Sequence, residues 1–151
     1  MTEDIEMIAS MGLDVEDYSK INDDWRRVEK GNRIPSKTYS DQPYILQTAD
    51  GAWLCVMTTG LGREGEGGQH VISLRSTDKG KTWEDLIEVE DPSPIENSYA
   101  VLLKVPSGRI YCFYNHNTDN IREIIADKSA YPDGLARRVD SLGYFVFKYT
   151  D

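Results

Sequence analysis

A seven-residue pattern occurs twice in this chain, and it constrains the fold more than any other feature. Gly51-Ala52-Trp53-Leu54-Cys55-Val56-Met57 matches Gly108-Arg109-Ile110-Tyr111-Cys112-Phe113-Tyr114 at an offset of 57, with glycine opening both copies and cysteine at the same place in each. Ahead of it, Pro43-Tyr44-Ile45-Leu46-Gln47-Thr48 falls on Ala100-Val101-Leu102-Leu103-Lys104-Val105, each an apolar run before a turn. After it, Val71-Ile72-Ser73-Leu74-Arg75-Ser76-Thr77-Asp78 aligns with Tyr144-Phe145-Val146-Phe147-Lys148-Tyr149-Thr150-Asp151 at an offset of 73, so the second copy carries about 16 extra residues between its second and third segments. Self-similarity of this kind marks a structure assembled from repeated supersecondary units.

Each copy reads as a strand, a tight glycine turn, a second strand, a longer loop and a third strand, all rich in Val, Ile, Tyr, Phe and Trp. The nearly continuous apolar runs suit sheets covered on both faces. A fourth strand over 86–89 completes the first copy as a four-stranded antiparallel meander, the unit of a β-propeller blade. The expected fold class is all-β, with an acidic N-terminal segment over 1–39, a first blade over 40–91 and a second over 92–151. In the first part, Ile5, Ile8 and Met11 have helical spacing behind Thr2 as a cap, which predicts a short amphipathic helix and then a loop toward Trp25.

The turn between the third and fourth strands of the first copy reads Ser76-Thr77-Asp78-Lys79-Gly80-Lys81-Thr82-Trp83, a complete Asp box, S-x-D-x-G-x-T-W. Asp78 and Ser76 can bond turn backbone groups, Gly80 supplies a positive φ, and Trp83 can fold back beside the sheet. The box speaks for the fold and hardly at all for chemistry. On these motifs the stretch 40–151 resembles the sialidase-like, BNR-repeat β-propellers. The resemblance implies a six-bladed propeller whose substrate pocket lies on the central axis, at the face opposite the Asp boxes. Two blades are expected here, the second ending at Tyr149-Thr150-Asp151 in the register of another box. Open sheet edges favour self-association, and a truncated sequence is a more natural reading than a ring of copies.

Composition removes several function classes. Seventeen Lys and Arg against 26 Asp and Glu give a net charge of -9, which repels nucleic acid and anionic membranes. The absence of a long apolar run and the acidic start argue for a cytoplasmic protein with no membrane partner. Cys55 and Cys112 are too few for a disulfide framework and lack metal-binding spacing. No cofactor and no metal are expected. Both thiols should be buried, apolar and unpaired.

In a blade, the start of strand one and the loop between strands two and three open on one face, away from the Asp box. This nominates Ser40, Asp41 and Gln42 with Arg63, Glu64, Glu66, Gln69 and His70 from the first copy. From the second come Glu96, Asn97, Ser98, Tyr99, the run 115–123 and Arg137, Arg138 and Asp140. Such a density of hydrogen-bonding side chains suits a sugar ring, although long loops also use Asn, Asp and Gly for their own backbone. His70, His116 and Asp119 are the candidate catalytic groups, and Asp41, Gln42, Arg63, Asn115, Asn117 and Arg122 the candidate substrate-binding ones. These side chains are expected to converge on the axis.

The resemblance implies a Phe/Tyr-Arg-Ile-Pro motif whose arginine grips the sialic acid carboxylate. Arg33-Ile34-Pro35 spells it but lies before the repeat, and Asp41-Gln42-Pro43 occupies its register. An aspartate cannot pair with a carboxylate as arginine does. The expected function is therefore that of a sialidase-superfamily, exo-acting glycoside hydrolase on a sugar other than typical sialosides, the two blades alone being inactive. A non-catalytic carbohydrate-binding or protein-interaction propeller is the alternative.

Overall fold

The computed structural model describes residues 27–84 and 86–150. The amphipathic helix expected near Ile5 lies outside the described residues. A unit over Met1–Gly31 is represented by one 3-10 turn at Val28–Lys30. The second unit, Asn32–Asp151, contains the repeat.

Its first four strands are β1 (Tyr39–Gln47), β2 (Trp53–Gly60), β3 (Gln69–Ser76) and β4 (Ile87–Glu88), hydrogen-bonded in that order as an antiparallel sheet. The second sheet is β5 (Asn97–Lys104), β6 (Ile110–His116) and β9 (Tyr144–Thr150), again antiparallel. A two-stranded ribbon, β7 (Ile124–Ile125) with β8 (Leu135–Ala136), sits within the long insertion between β6 and β9. The fold is all-β, two blade-like meanders in succession.

The copies agree in detail. In β1 the pairing with β2 slips between Asp41 and Tyr44; in β5 the pairing with β6 slips between Ser98 and Val101, 57 positions later. At each bulge a non-glycine residue holds a left-handed backbone, Gln42 at φ 49° and Tyr99 at φ 58°. The third strand corrects the sequence alignment by one residue. Leu74 pairs with Cys55 and Lys148 with Cys112, so the offset there is 74 and Ser76 corresponds to Thr150, not Tyr149. Both faces of β9 are apolar over 144–147, so alternation could not fix its register.

One face of each sheet looks back along the chain and the other forward. Val56 and Val71 of the first sheet pack with Ala100, Leu102, Ile110, Cys112 and Tyr114 of the second, and Leu46, Leu54, Val89 and Val146 close this inter-sheet core. Cys55, Met57, Ile72 and Leu74 lie on the other face of the first sheet, under Ile34, Trp83 and Leu86. The forward face of the second sheet repeats the first one's pattern with aromatic residues. Tyr111, Phe113, Phe147 and Tyr149 form a cluster with ring centroids 5.5–6.1 Å apart, and Phe145, Phe147 and Tyr149 are exposed.

The Asp box forms the predicted staple. The Gly80 amide donates to Ser76 Oγ at 2.8 Å, and Ser76 Oγ donates to Asp78 Oδ1 at 2.9 Å. The Thr82 amide and hydroxyl both donate to the Asp78 carboxylate, at 2.8 and 2.7 Å. These donors hold the Asp78 carboxyl down near pKa 2. Gly80 has φ 81°, and a Cβ there would stand 3.0 Å from the Trp53 ring.

Candidate functional site

The β-ladders fix which residues can meet. The Asp box begins at Ser76, opposite Trp53, whereas Tyr39, Gly60 and Gln69 stand together at the other end of the first sheet. Asn97, His116 and Tyr144 mark the same end of the second sheet. The loop 61–68 and the insertion 117–143 leave from this end and pack on each other. The Val139 amide donates to the Gly65 carbonyl at 2.9 Å. Gly65 and Gly67 lie so close to the Arg138 and Arg122 side chains that a Cβ at either would fall 2.4 or 2.0 Å from them. The run of glycines in the first loop is what lets the second blade's arginines approach its backbone.

The densest group of ionisable side chains at this end centres on Arg138. Its Nε and one terminal nitrogen bind both oxygens of Asp140, at 2.9 and 2.8 Å, and that same terminal nitrogen donates to Glu64 Oε1 at 2.6 Å. Asp140 is only 2% exposed and accepts a third bond from the Tyr99 hydroxyl at 2.6 Å. Its carboxyl is held below its ordinary pKa, first by the bond from Arg138 and further by that from Tyr99, against the cost of burial. Tyr39, at the start of β1, faces Asp41, and its phenol is pushed up to about 12 by burial, by Asp41, and by the nearby Glu64 and Tyr99. Tyr39, Asp41, Glu64, Tyr99, Arg138 and Asp140 thus gather where the two innermost strands begin.

Glu96 lies beneath this group with no exposed surface. Its Oε2 accepts the Gln69 amide at 3.0 Å, while Oε1 is buried without a hydrogen-bond partner. Burial raises its pKa to about 8; Asp140 pushes the same way, and the Gln69 amide and Arg122 oppose. Burial thus favours its protonated form, and the residue joins β3 of the first sheet to the start of the second.

The structure distributes the other candidates. Asp41 belongs to the Arg138 group, and Arg122 packs on Gly67 near Glu96. Arg63 is exposed in the loop, where its amide donates to Glu66 Oε2 at 3.1 Å. Gln42 is exposed at the β1 bulge. Asn117 is fully buried and staples its own turn, donating to the Ile121 carbonyl at 2.7 Å and accepting the Ile121 amide at 3.1 Å. Asp119 is exposed in that turn. Asn115 is buried, with Oδ1 unpartnered.

The two histidines do not meet. His116 alternates with Tyr114 and Cys112 on the inter-sheet face and contacts Asn97 Oδ1. His70 alternates with Ile72 and Leu74 on the face away from the second sheet and contacts Lys37 and Glu88. Among the described residues, no three His, Cys, Asp or Glu side chains gather as metal ligands. No helix among them is long and apolar enough to cross a membrane.

Sequence reasoning passed over Tyr39, Lys37 and Glu88. Lys37 and Glu88 are 51 positions apart and belong to no recurring motif, so only the fold could pair them. Tyr39 sits one residue before the first blade as the repeat defined it. A groove of about 700 Å³ lies at the hairpin end between Thr48, Arg75 and Arg109, away from these groups. Arg75 there is already paired with Asp50 and Glu84.

A search of curated proteins returned no match. The family model described as BNR repeat-like domain matches residues 7–138, in keeping with the paired meanders and the Asp box, and the chain belongs to this sialidase-like BNR-repeat family.

Proposed function

We propose that the chain is part of a carbohydrate-active protein acting as an exo-glycoside hydrolase on a sugar other than typical sialosides. One observation carries the reading: Glu64 and Asp140 share a single guanidinium nitrogen of Arg138, beside Asp41 and the phenols of Tyr39 and Tyr99. Glycosidic cleavage needs two carboxyl groups flanking one bond, one to protonate the leaving oxygen and one to act from the opposite side. Tyrosine faces and hydroxyls beside them suit the mixed apolar and polar surface of a sugar ring. The side chain of Glu64 is 55% exposed and Asp140 is buried, so Glu64 and Asp41 are the carboxyl groups that can reach a ligand, with Arg138, held by Asp140, positioning Glu64 and Tyr39 beside Asp41.

The same contacts speak against a sialoside. Arg138 spends its fork on Asp140 and Glu64, and Asp41 stands where a carboxylate-binding arginine is expected, so this end presents negative charge to an incoming carboxylate. A non-catalytic sugar-binding role is favoured by the fixing of Asp140 between Tyr99 and Arg138, which suits a rigid binding wall.

The test is a glycan array followed by hydrolysis of aryl glycosides by the whole protein of which these two blades are a part, comparing the native sequence with Glu64→Gln. Retention of neutral glycans, with turnover falling about a hundredfold or more in the variant at unchanged Tm, supports the hydrolase. Retention without turnover selects the binding role. Release of sialic acid as the preferred product overturns the sugar assignment.

A further inference from the structure

A continuous line of contacts runs from the buried Glu96 to Glu64. Glu96 Oε2 accepts the Gln69 amide at 3.0 Å, at the point where the glycine loop enters β3. Gln69 is itself buried, and its side chain turns back across the loop to donate to the Arg63 carbonyl. Arg63 is the residue before Glu64, whose carboxylate bonds Arg138 at 2.6 Å. Glu96 therefore fixes one end of the loop 61–68 directly and, through Gln69, the peptide that carries Glu64. On the side of the second sheet, the Glu96 carbonyl accepts the Asn117 amide at 3.0 Å, and Asn117 staples the turn that leads to Arg122.

Two groups of opposite character at this junction are left without partners. Glu96 Oε1 is buried and has no hydrogen bond. The half-buried Arg122 side chain makes no hydrogen bond or ion pair among the described residues and lies against Gly67, two residues before Gln69. A protonated Glu96 accounts for the gap, because a neutral acid does not draw a guanidinium away from the loop. The charged groups that act on Glu96 are Arg122, from the start of the insertion, and Asp140, from its end; on the β3 side it meets the uncharged Gln69 amide. A carboxylate buried here beside Asp140 is costly unless a cation pairs with it, and Arg122 is the cation at hand.

We infer that Glu96 is a positioning residue for Glu64 and that its proton sets the fit of the loop 61–68: protonated, it holds Gln69 and leaves Arg122 on Gly67, whereas ionised it draws Arg122 onto Oε1, and the loop, losing that contact, carries Glu64 off Arg138. The inference rests on the hydrolase reading above only for its effect on turnover. The coupling of Glu64 to Glu96 is a property of the fold and can be measured without a substrate.

The test follows the side-chain carboxyl carbons of carbon-13-labelled glutamates by NMR from pH 6 to 10 in the whole protein, together with turnover of aryl glycosides. The two resonances are assigned by their loss in Glu96→Gln and Glu64→Gln. In the native protein the Glu96 carboxyl should titrate near pH 8, and the Glu64 carboxyl should shift with the same midpoint. Glu96→Gln, which keeps an acceptor for the Gln69 amide and cannot ionise, should abolish that shift. Arg122→Met should move the midpoint to higher pH, since it removes the charge that favours the ionised form. Turnover of the native protein should fall about a hundredfold across the same range, as for a displaced catalytic group, and stay level in Glu96→Gln. A Glu64 resonance that stays still while Glu96 titrates, or that moves equally in Glu96→Gln, overturns the inference, as does a midpoint unchanged or lowered in Arg122→Met. Coupled shifts without turnover on any glycoside support the positioning role and count against the hydrolase reading alone; turnover without coupled shifts does the reverse.

Discussion

Tyr99 and Asp140 are tied by a 2.6 Å hydrogen bond from phenol to carboxylate, which fastens the bulge of the second sheet's innermost strand to the end of its long insertion. Tyr99 reaches Asp140 from a left-handed backbone at φ 58°, a conformation unfavourable for a bulky residue and shared by Gln42 in the first copy. The bulge is thus a property of the repeat. The second copy uses it to aim a phenol, whereas Gln42 is exposed.

Tyr99→Phe should therefore destabilise the chain by about 1–3 kcal/mol, the usual loss for a hydrogen bond to a buried charged group. Asp140→Ala should cost more, because it strips partners from Arg138, Tyr99 and, through Arg138, Glu64 together. Chemical denaturation of the two variants and the double variant checks this. Strict additivity would show that Tyr99 and Asp140 are not coupled.

At the opposite end, the Asp box should act on stability and leave ligand preference alone. Trp83→Ala should cost about 3 kcal/mol, since the ring packs over the Cys55, Met57, Ile72 and Leu74 cluster. Gly80→Val should destabilise by both its φ of 81° and the approach of Trp53. Asp78 has a folded pKa near 2, below its ordinary value of 3.8. Its contribution is complete above pH 3.8 and is lost as the pH falls through 2, so Asp78→Asn should flatten the acid limb of the stability profile. A Trp83 variant of full stability with lost glycan retention would contradict the assignment.

How far the sequence could reach follows from what each residue depends on. The glycine turns and the Asp box are local, so the repeat at 57 located β1, β2, β5 and β6. The register of β9 depends on an insertion of irregular length and on a run, Tyr144 to Phe147, apolar on both faces; there the sequence alignment slipped by one residue. Glu64, Tyr99, Arg138 and Asp140 could be nominated by the end of the blade they leave from. That Arg138 would join Glu64 to Asp140, while His70 turned to the other face beside Lys37, depends on how two loops pack, which no spacing encodes.

The cysteines give a separate check on the repeat. Cys55 and Cys112 occupy matching places, yet each lies in a different core because equivalent residues face the same way round in successive sheets. Both are buried and free, and burial pushes both thiols up to about 11. The native chain should react with a thiol-specific reagent only at its rate of opening, and at once in denaturant. A native disulfide between them would disprove the register.

Glu96 provides the sharpest pH test, because its sign opposes that of Asp78. Its folded pKa is near 8, against 4.5 for the ordinary group, and no part of the residue is exposed. Between these values the folded chain holds a proton that the unfolded chain has released, so stability falls as the pH rises from 4.5 and levels off above 8. Burial sets the direction: it outweighs the Gln69 amide and Arg122, and Asp140 repels the carboxylate further. Glu96→Gln keeps an acceptor for the Gln69 amide and cannot ionise. The variant should therefore gain on the native sequence steadily between pH 5 and 8, by about 2–4 kcal/mol at the upper end. Denaturant melts of both proteins across that range measure the difference directly. A constant difference would mean that Glu96 ionises at its ordinary pKa, and that the join between the start of β3 and the second sheet tolerates a buried negative charge.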